Sequence, residues 1–328
     1  MSKEIKRIAV MTSGGDAPGM NAAIRAVVRA GSYHDLHVYG ISRGYEGMIN
    51  GDIQRLEPRT VGNIIHRGGT FLKTARSKDF RTPEGRKSAY DSLVAHDIDA
   101  LVVIGGNGTY TGGKIFGEEY DIPIIGVPGT IDNDICGTDW TIGYDSAVNT
   151  AMECVDRIRD TAESHSRTFF VEVMGRHSGF IALSTAVATG AGRVLIPESS
   201  PEALDTTINF LKKSMKRKKQ FSLIIVAEGN PFGGAAEIAK VVGDAIPAME
   251  ARVAVIGHLQ RGGSPTRIDR IIASRMGYGA VEGLLAGEEA VAIGLVNDKL
   301  TYTPFAEAIK DAKPVSDEMM RLAEILAL

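Results

Sequence analysis

The chain has 328 residues, 44% hydrophobic and 23% charged, the make-up of an ordinary globular protein with material for one large core or two smaller ones. A formal net charge of -3 leaves no overall basic field, which argues against nucleic acid or anionic lipid as main partner and makes any phosphate binding a local matter. No apolar run approaches the ~20 residues that span a membrane, and the opening MSKEIKRIAV has no signal-type apolar stretch. Cys136 and Cys154 lack metal-ligand spacing. A cytoplasmic location is expected.

Short apolar runs alternate with stretches of helical period. RIAVMT (Arg7 to Thr12) reads as a strand, followed by a helix over Met20 to Ala30 and a strand HVYGI (His37 to Ile41). ALVVIG (Ala100 to Gly105) and IPIIGV (Ile122 to Val127) continue the pattern, and a long polar helix over Ser146 to Ser164 follows. Then come the strands TFFVEVM (Thr168 to Met174) and RVLIP (Arg193 to Pro197), a helix over Pro201 to Lys213, the strands FSLIIVA (Phe221 to Ala227) and VAVIG (Val253 to Gly257), and a helix over Arg267 to Leu285. Strands apolar throughout, separated by helices, imply parallel sheets covered on both faces. So many strands exceed one sheet, and the long helix is the natural crossover to a second, with a boundary near residue 140.

Ligands of such sheets gather beyond the carboxyl ends of the strands. After the first strand, TSGGDAPG (Thr12 to Gly19) is a glycine-rich turn opening into a helix, where unpaired N–H groups can meet an anion. It matches neither the dinucleotide fingerprint nor the P-loop. After the third strand, VIGGNGTYTGG (Val103 to Gly113) carries more glycine than helix or strand favours, together with Asn107 and Thr109. Two such turns suit a polyphosphate. PGTIDND (Pro128 to Asp134) follows the next strand and adds two carboxylates, Asp132 and Asp134. Carboxylates do not hold phosphate; they hold Mg²⁺ or take a proton from an attacking hydroxyl, the two tasks phosphoryl transfer needs besides positioning. Taken alone, the stretch also fits a turn capped by Asx side chains. Arg176, His258 and Arg261 follow apolar strands, and Arg167 and Arg252 precede two of them. Forked guanidinium groups suit a phosphate monoester.

TSGGDAPGMNAAIR, RGGTFLKTAR, IGGNGTY, PGTIDNDICGTD, TIGYDSA, RIRDTAESHSR, EVMGRHSG, AEG, IGHLQRGGSP and DRIIASRMG together resemble bacterial-type 6-phosphofructokinase, in order and nearly end to end. The resemblance implies an α/β fold of two unequal doubly wound lobes with mainly parallel sheets. The larger, ATP-binding lobe would span 1–142 plus about 260–311, and the smaller, sugar-phosphate-binding lobe 143–259 plus about 312–328. It also implies transfer of the ATP γ-phosphoryl, with Mg²⁺, to the 1-hydroxyl of fructose 6-phosphate. The assembly would be a homotetramer with substrate sites shared between subunits. Asp132 matches the base for the 1-hydroxyl and Asp134 the neighbouring carboxylate; Thr130 and Arg176 match groups flanking the transferring phosphoryl. Gly15, Arg76, Ser77 and the loop Gly106, Asn107, Gly108 and Thr109 match the nucleotide site. Ile131, Met174, Gly175, Glu228, His258 and Arg261 match the sugar-phosphate site, with Arg167 and Arg252 lent by an adjacent subunit.

Relatives that use pyrophosphate carry aspartate where Gly108 stands and lysine where Gly129 stands, so ATP is the expected donor. Asn107 replaces an aspartate associated with Mg²⁺, leaving Asn107 and Asp134 as the expected metal ligands. Arg25, Arg29 and Arg159 match a basic effector site and the run Lys212 to Lys219 keeps positive charge there, whereas Pro58 and Gly192 replace an arginine and a glutamate, which implies an altered effector response. The alternatives are a pyrophosphate-dependent enzyme, a weakly active regulatory paralogue, and a nucleotide-binding oxidoreductase.

Overall fold

The computed structural model describes residues 4–217, 221–310 and 313–327. Lys219 of the expected effector set lies outside them. In chain order the elements are β1 (Arg7–Thr12), α1 (Met20–Tyr33), β2 (His37–Ile41), α2 (Gly44–Asn50), β3 (Ile53–Leu56), α3 (Pro83–Ala95), β4 (Ala100–Gly105), α4 (Asn107–Tyr120), β5 (Ile124–Pro128) and α5 (Tyr144–His165). They continue as β6 (Thr168–Val173), α6 (Phe180–Thr189), β7 (Arg193–Leu195), α7 (Ala203–Lys216), β8 (Ser222–Ala227), α8 (Ala235–Ala245), β9 (Ala251–Val255), α9 (Arg267–Ala286), β10 (Val291–Val296), β11 (Lys299–Pro304), α10 (Phe305–Ala308) and α11 (Asp317–Leu326).

The chain groups into two units: one takes the residues up to Thr130, Ile135–Ser146 and Arg261–Lys313, the other Ile131–Asp134, Ala147–Gln260 and the residues from Pro314 onward. Ile131–Asp134 thus groups with the second, where Ser178 Oγ donates to Asp132 O at 3.0 Å.

The first unit is built on a sheet of order β11-β10-β5-β4-β1-β2-β3. Its central strands run parallel, Ile8 beside Ala100 and Leu101 beside Ile124, while β3 and β11 close the two edges antiparallel. β4 is buried along its whole length because helices cover both faces, which is why its sequence shows no alternation. Beneath the sheet an aromatic layer of Tyr45, Phe80, Tyr110, Phe116 and Phe305 fills the core, with Tyr45 and Phe80 stacked at 3.9 Å. Each such ring contributes roughly 1.5–3 kcal/mol by leaving water.

That layer explains a departure from expectation. The glycines after β4 do not form an extended turn; the helix α4 begins at Asn107 and includes Gly108, Gly112 and Gly113. A methyl carbon at Gly112 would stand 3.0 Å from Tyr45 Cε2 and 3.2 Å from Phe80 Cε1. Glycine there costs the helix about 1 kcal/mol relative to alanine, and ring packing offsets it.

The second unit carries the parallel sheet β7-β8-β6-β9. Phe170, Leu195, Ile224 and Val226 pack with Leu211 of α7 and Ile238 and Val242 of α8. The expected strand at Val253 to Gly257 begins earlier, at Ala251, and is an edge rather than a covered strand: Val253 is 41% and Val255 62% exposed.

Candidate active site

In the first unit the turns after β1, β4 and β5 converge. Ser13 N–H donates to Ile104 O and Thr109 Oγ1 donates to Ser13 O at 3.1 Å, tying the first glycine turn to the start of α4. A methyl carbon at Gly14 would stand 3.7 Å from Thr109 Oγ1, and one at Gly106 3.7 Å from Thr130 Cβ. Gly106 is the N-cap of α4, so Asn107, Gly108 and Thr109 form the first turn of a helix, and a helix N-terminus favours negative charge. Thr109 is buried, held further by the Tyr45 hydroxyl, which donates to its carbonyl at 2.6 Å.

Arg261 groups with this unit. Its Nη1 donates to Asp16 O at 3.0 Å, and a methyl carbon at Gly15 would stand 2.7 Å from that nitrogen. Glycine at 15 therefore leaves room for the guanidinium. Arg76 is exposed and Ser77 half-buried, in a segment fastened to the first turn. Thr74 Oγ1 donates to Gly14 O, Thr12 Oγ1 donates to Lys73 O, and Asn21 holds Arg67 O, Gly68 O and Phe71 N.

In the second unit a different set gathers at the carboxyl ends of β6 and β8. Met174 N–H donates to Gln260 Oε1, and the N–H groups of Gly175 and Arg176 both donate to Glu228 Oε1. Arg176 is exposed and adopts φ 52. Ser178 Oγ bonds the carbonyl of Asp132, whose residue is 3% exposed, while Asp134 is half-buried. Ile131 is fully buried. His258 is exposed in the short turn Gly257–Arg261, the turn that also supplies Gln260.

Arg167 and Arg252 are not part of that end. They sit at the amino ends of β6 and β9, where Arg167 Nε donates to Glu250 Oε1 at 2.9 Å and Arg252 Nη2 bonds the same oxygen. A six-residue strand separates the two ends by about 20 Å. Of the expected effector residues, Arg25 and Arg29 lie one turn apart on α1, and burial followed by the charge of Arg29 lowers the Arg25 pKa. Arg159, on α5, bonds Thr189 O and lies over the Phe221 ring.

Sequence reasoning passed over Ser178, Gln260 and Asp269. All three lie inside the quoted stretches EVMGRHSG, IGHLQRGGSP and DRIIASRMG, but nothing in spacing reveals that they hold backbone groups rather than ligands.

A doubly wound α/β protein with glycine turns at the carboxyl edge of its sheet is of the kind that binds phosphate-bearing ligands. A phosphofructokinase family model matches residues 7–284, and the chain belongs to that family. It is 53% identical over 322 residues to the ATP-dependent 6-phosphofructokinase of Cytophaga hutchinsonii, covering 98% of each chain. It is 52% identical over 324 residues to ATP-dependent 6-phosphofructokinase 2 of Bacteroides thetaiotaomicron, covering 99% of each. Among solved structures, phosphofructokinase from Saccharomyces cerevisiae superposes with a TM-score of 0.89 at 37% identity over 98% of this chain, which spans 48% of the length of that one. The resemblance seen in the motifs thus extends along the whole chain. No described helix is long and apolar enough to cross a membrane.

Proposed function

We propose that the chain transfers the γ-phosphoryl of ATP to the 1-hydroxyl of fructose 6-phosphate, giving fructose 1,6-bisphosphate and ADP. The observation that carries this is the end-to-end match, 53% identical over 98% of both chains, to a relative named for that reaction. The same likeness supports a cytoplasmic, glycolytic role and a homotetramer.

The first unit supplies the nucleotide side. Gly15, Gly106, Asn107 and Gly108 line the phosphates at a helix N-terminus, Thr109 fixes that turn through its bond to Ser13 O, and Arg76 and Ser77 lie toward the nucleoside. Two glycines favour ATP over pyrophosphate. A methyl carbon at Gly108 meets nothing within 4 Å, leaving that space to the nucleotide, and one at Gly129 would stand 2.9 Å from Ile104 Cγ2 and from Met20 Cε, leaving no room for a lysine.

The second unit supplies the sugar side, through Ile131, Met174, Gly175, Glu228 and His258. The resemblance assigns Arg261, bonded to Asp16 O, to the sugar phosphate as well. Arg167 and Arg252 would serve a neighbouring subunit's substrate. Asp132 takes the proton of the 1-hydroxyl as that oxygen bonds the γ-phosphorus and the bond to ADP breaks. Arg176 and Thr130 steady the charge on the transferring group.

The donor chemistry fits Mg²⁺. Asn107 and Asp134 offer the oxygen atoms a hard cation prefers, and magnesium keeps waters and phosphate oxygens as its remaining ligands. Accordingly it needs no all-protein cage, and none of three or more His, Cys, Asp or Glu exists among the described residues. Bound there, Mg²⁺ would neutralise phosphate charge as it shifts toward ADP.

A coupled assay of initial rate with ATP or pyrophosphate across a Mg²⁺ series tests the reading. ATP should support turnover and pyrophosphate should not. Asp132→Asn should lower kcat by roughly 10²- to 10⁴-fold. A rate dependent only on pyrophosphate, or untouched by Asp132→Asn, would refute it.

A further inference from the structure

We propose that Asp269 is a positioning residue for the reaction, acting through the arm Thr141–Ser146 on the backbone at Thr130. The inference rests on the function proposed above.

Thr266 is the N-cap of α9, its hydroxyl accepting from Asp269 N–H. An acidic residue at the third position of such a helix ordinarily reaches back to the N-cap amide. Asp269 does not. Its Oδ1 accepts from Gly143 N–H at 2.8 Å, and its Oδ2 accepts from Ser146 N–H at 2.8 Å and Ser146 Oγ at 2.6 Å. Ser146 Oγ takes over the abandoned bond, accepting from Thr266 N–H at 3.0 Å. One carboxylate, 0% exposed, therefore joins the start of α9 to the start of α5 and to the arm leading into it.

That arm returns onto the turn after β5. Ile142 N–H donates to Pro128 O at 2.8 Å, Gly129 and Ile142 form a parallel bridge, and Thr141 Oγ1 donates to Thr130 O at 2.6 Å. Ile142 also packs against the other glycine turn, since a methyl carbon at Gly19, which has φ 105, would stand 2.7 Å from Ile142 Cγ2. The turn after β5, which carries Thr130, and the turn after β1, which carries Gly15, are thus braced by an arm whose far end Asp269 fixes. Asp269 is buried with both carboxylate oxygens bonded to Gly143 and Ser146, so it has none left for substrate. Its effect reaches the reaction only through the placement of Thr130 and of the residues that follow it in the chain.

The test uses the full chain, with rates measured while ATP and fructose 6-phosphate are varied separately. Asp269→Asn keeps the size but turns an NH₂ toward the N–H of Ser146. It should lower kcat roughly 10- to 100-fold and leave each KM within about threefold, because a small displacement of a reacting group costs rate rather than ground-state binding. Thr141→Val, which cuts the link to Thr130, should lower kcat about 3- to 10-fold, and the double variant should fall no further than Asp269→Asn alone, since both act through one arm. Additive effects, or a lower Tm with wild-type kcat, would overturn the inference. Should Asp269→Asn fail to fold, Ser146→Ala and Thr141→Val carry the measurement, and wild-type kcat in both overturns it. A wild-type chain inactive on fructose 6-phosphate would overturn the functional reading and this inference with it. An active wild type with unaffected Asp269→Asn overturns this inference alone.

Discussion

The backbone N–H of Arg176 donates to Glu228 Oε1 at 2.8 Å, and the bond holds an arginine at φ 52. A left-handed conformation outside glycine costs about 1–2 kcal/mol, so something must fix it. Gly175, at φ 146, bonds the same oxygen at 3.3 Å. Gly229 lets the two backbones meet, for a methyl carbon there would stand 1.6 Å from Arg176 O. Glu228 therefore shapes the turn that aims Arg176. Glu228→Ala should reduce kcat about 10- to 100-fold through misplacement of the guanidinium, while Glu228→Gln, which keeps an oxygen acceptor, should retain most of the rate. Saturating-substrate rates for the two variants check this; equal losses would mean that the carboxylate charge matters and the turn does not.

Gly108 and Gly129 differ in what surrounds them, and their substitutions should fail differently. At Gly108 the space is open, so Gly108→Asp should fold with unchanged Tm. Its charge would face the donor's phosphates, and kcat/KM for ATP should fall roughly 10- to 100-fold, about 1.4–2.8 kcal/mol, since like charges brought together repel. At Gly129 the space is filled by Ile104 and Met20. Gly129→Lys should lose stability by about 1–3 kcal/mol in urea unfolding without gaining activity on pyrophosphate.

The sequence-based reading worked where one residue type has one use. Covered parallel strands such as Ala100–Gly105 are apolar throughout, and no other element of that length looks the same. It failed where a residue has two uses. Glycine marks a turn at Gly106, but at Gly112 and Gly113 it marks a helix pressed against rings, and only the partner Tyr45, far away in the chain, distinguishes them. The hairpin of β10 and β11 left a local signal that went unused. Asn297 and Asp298 have φ 49 and 61 between the paired Val296 and Lys299, the left-handed pair a two-residue turn requires. Asp269 could not be found this way, because its partners Gly143 and Ser146 are more than a hundred residues distant.

Effector control should be weak. A methyl carbon at Gly192 would stand 2.8 Å from the Phe210 ring, so the acidic side chain expected there has no place. Arg193 lies over that same ring at 4.9 Å, and Arg159 is engaged with Thr189 O and Phe221. Rates against fructose 6-phosphate should shift by less than about twofold, under 0.5 kcal/mol of coupling, on adding ADP or phosphoenolpyruvate. Strong activation by the one and inhibition by the other would contradict this.

Asp269 also predicts how stability varies with pH. Burial raises its pKa from 3.8 to about 6, opposed by the Ser146 hydroxyl and the N–H groups of Gly143 and Ser146, with Asp145 adding a smaller upward push. A carboxyl raised on folding binds its proton more tightly in the native state. Its contribution is therefore fully present below about pH 3.8, is lost as pH rises through about 6, and changes no further above that. About two pKa units at 1.36 kcal/mol each make the change on the order of 3 kcal/mol. Asp269→Asn cannot titrate. Measured by urea unfolding, the stability of wild type minus that of Asp269→Asn should fall between pH 4 and pH 6 and stay level from pH 7 to pH 8. A difference that instead grows with rising pH would show the carboxylate to be stabilised by its three donors more than burial penalises it, reversing the sign assigned to Asp269.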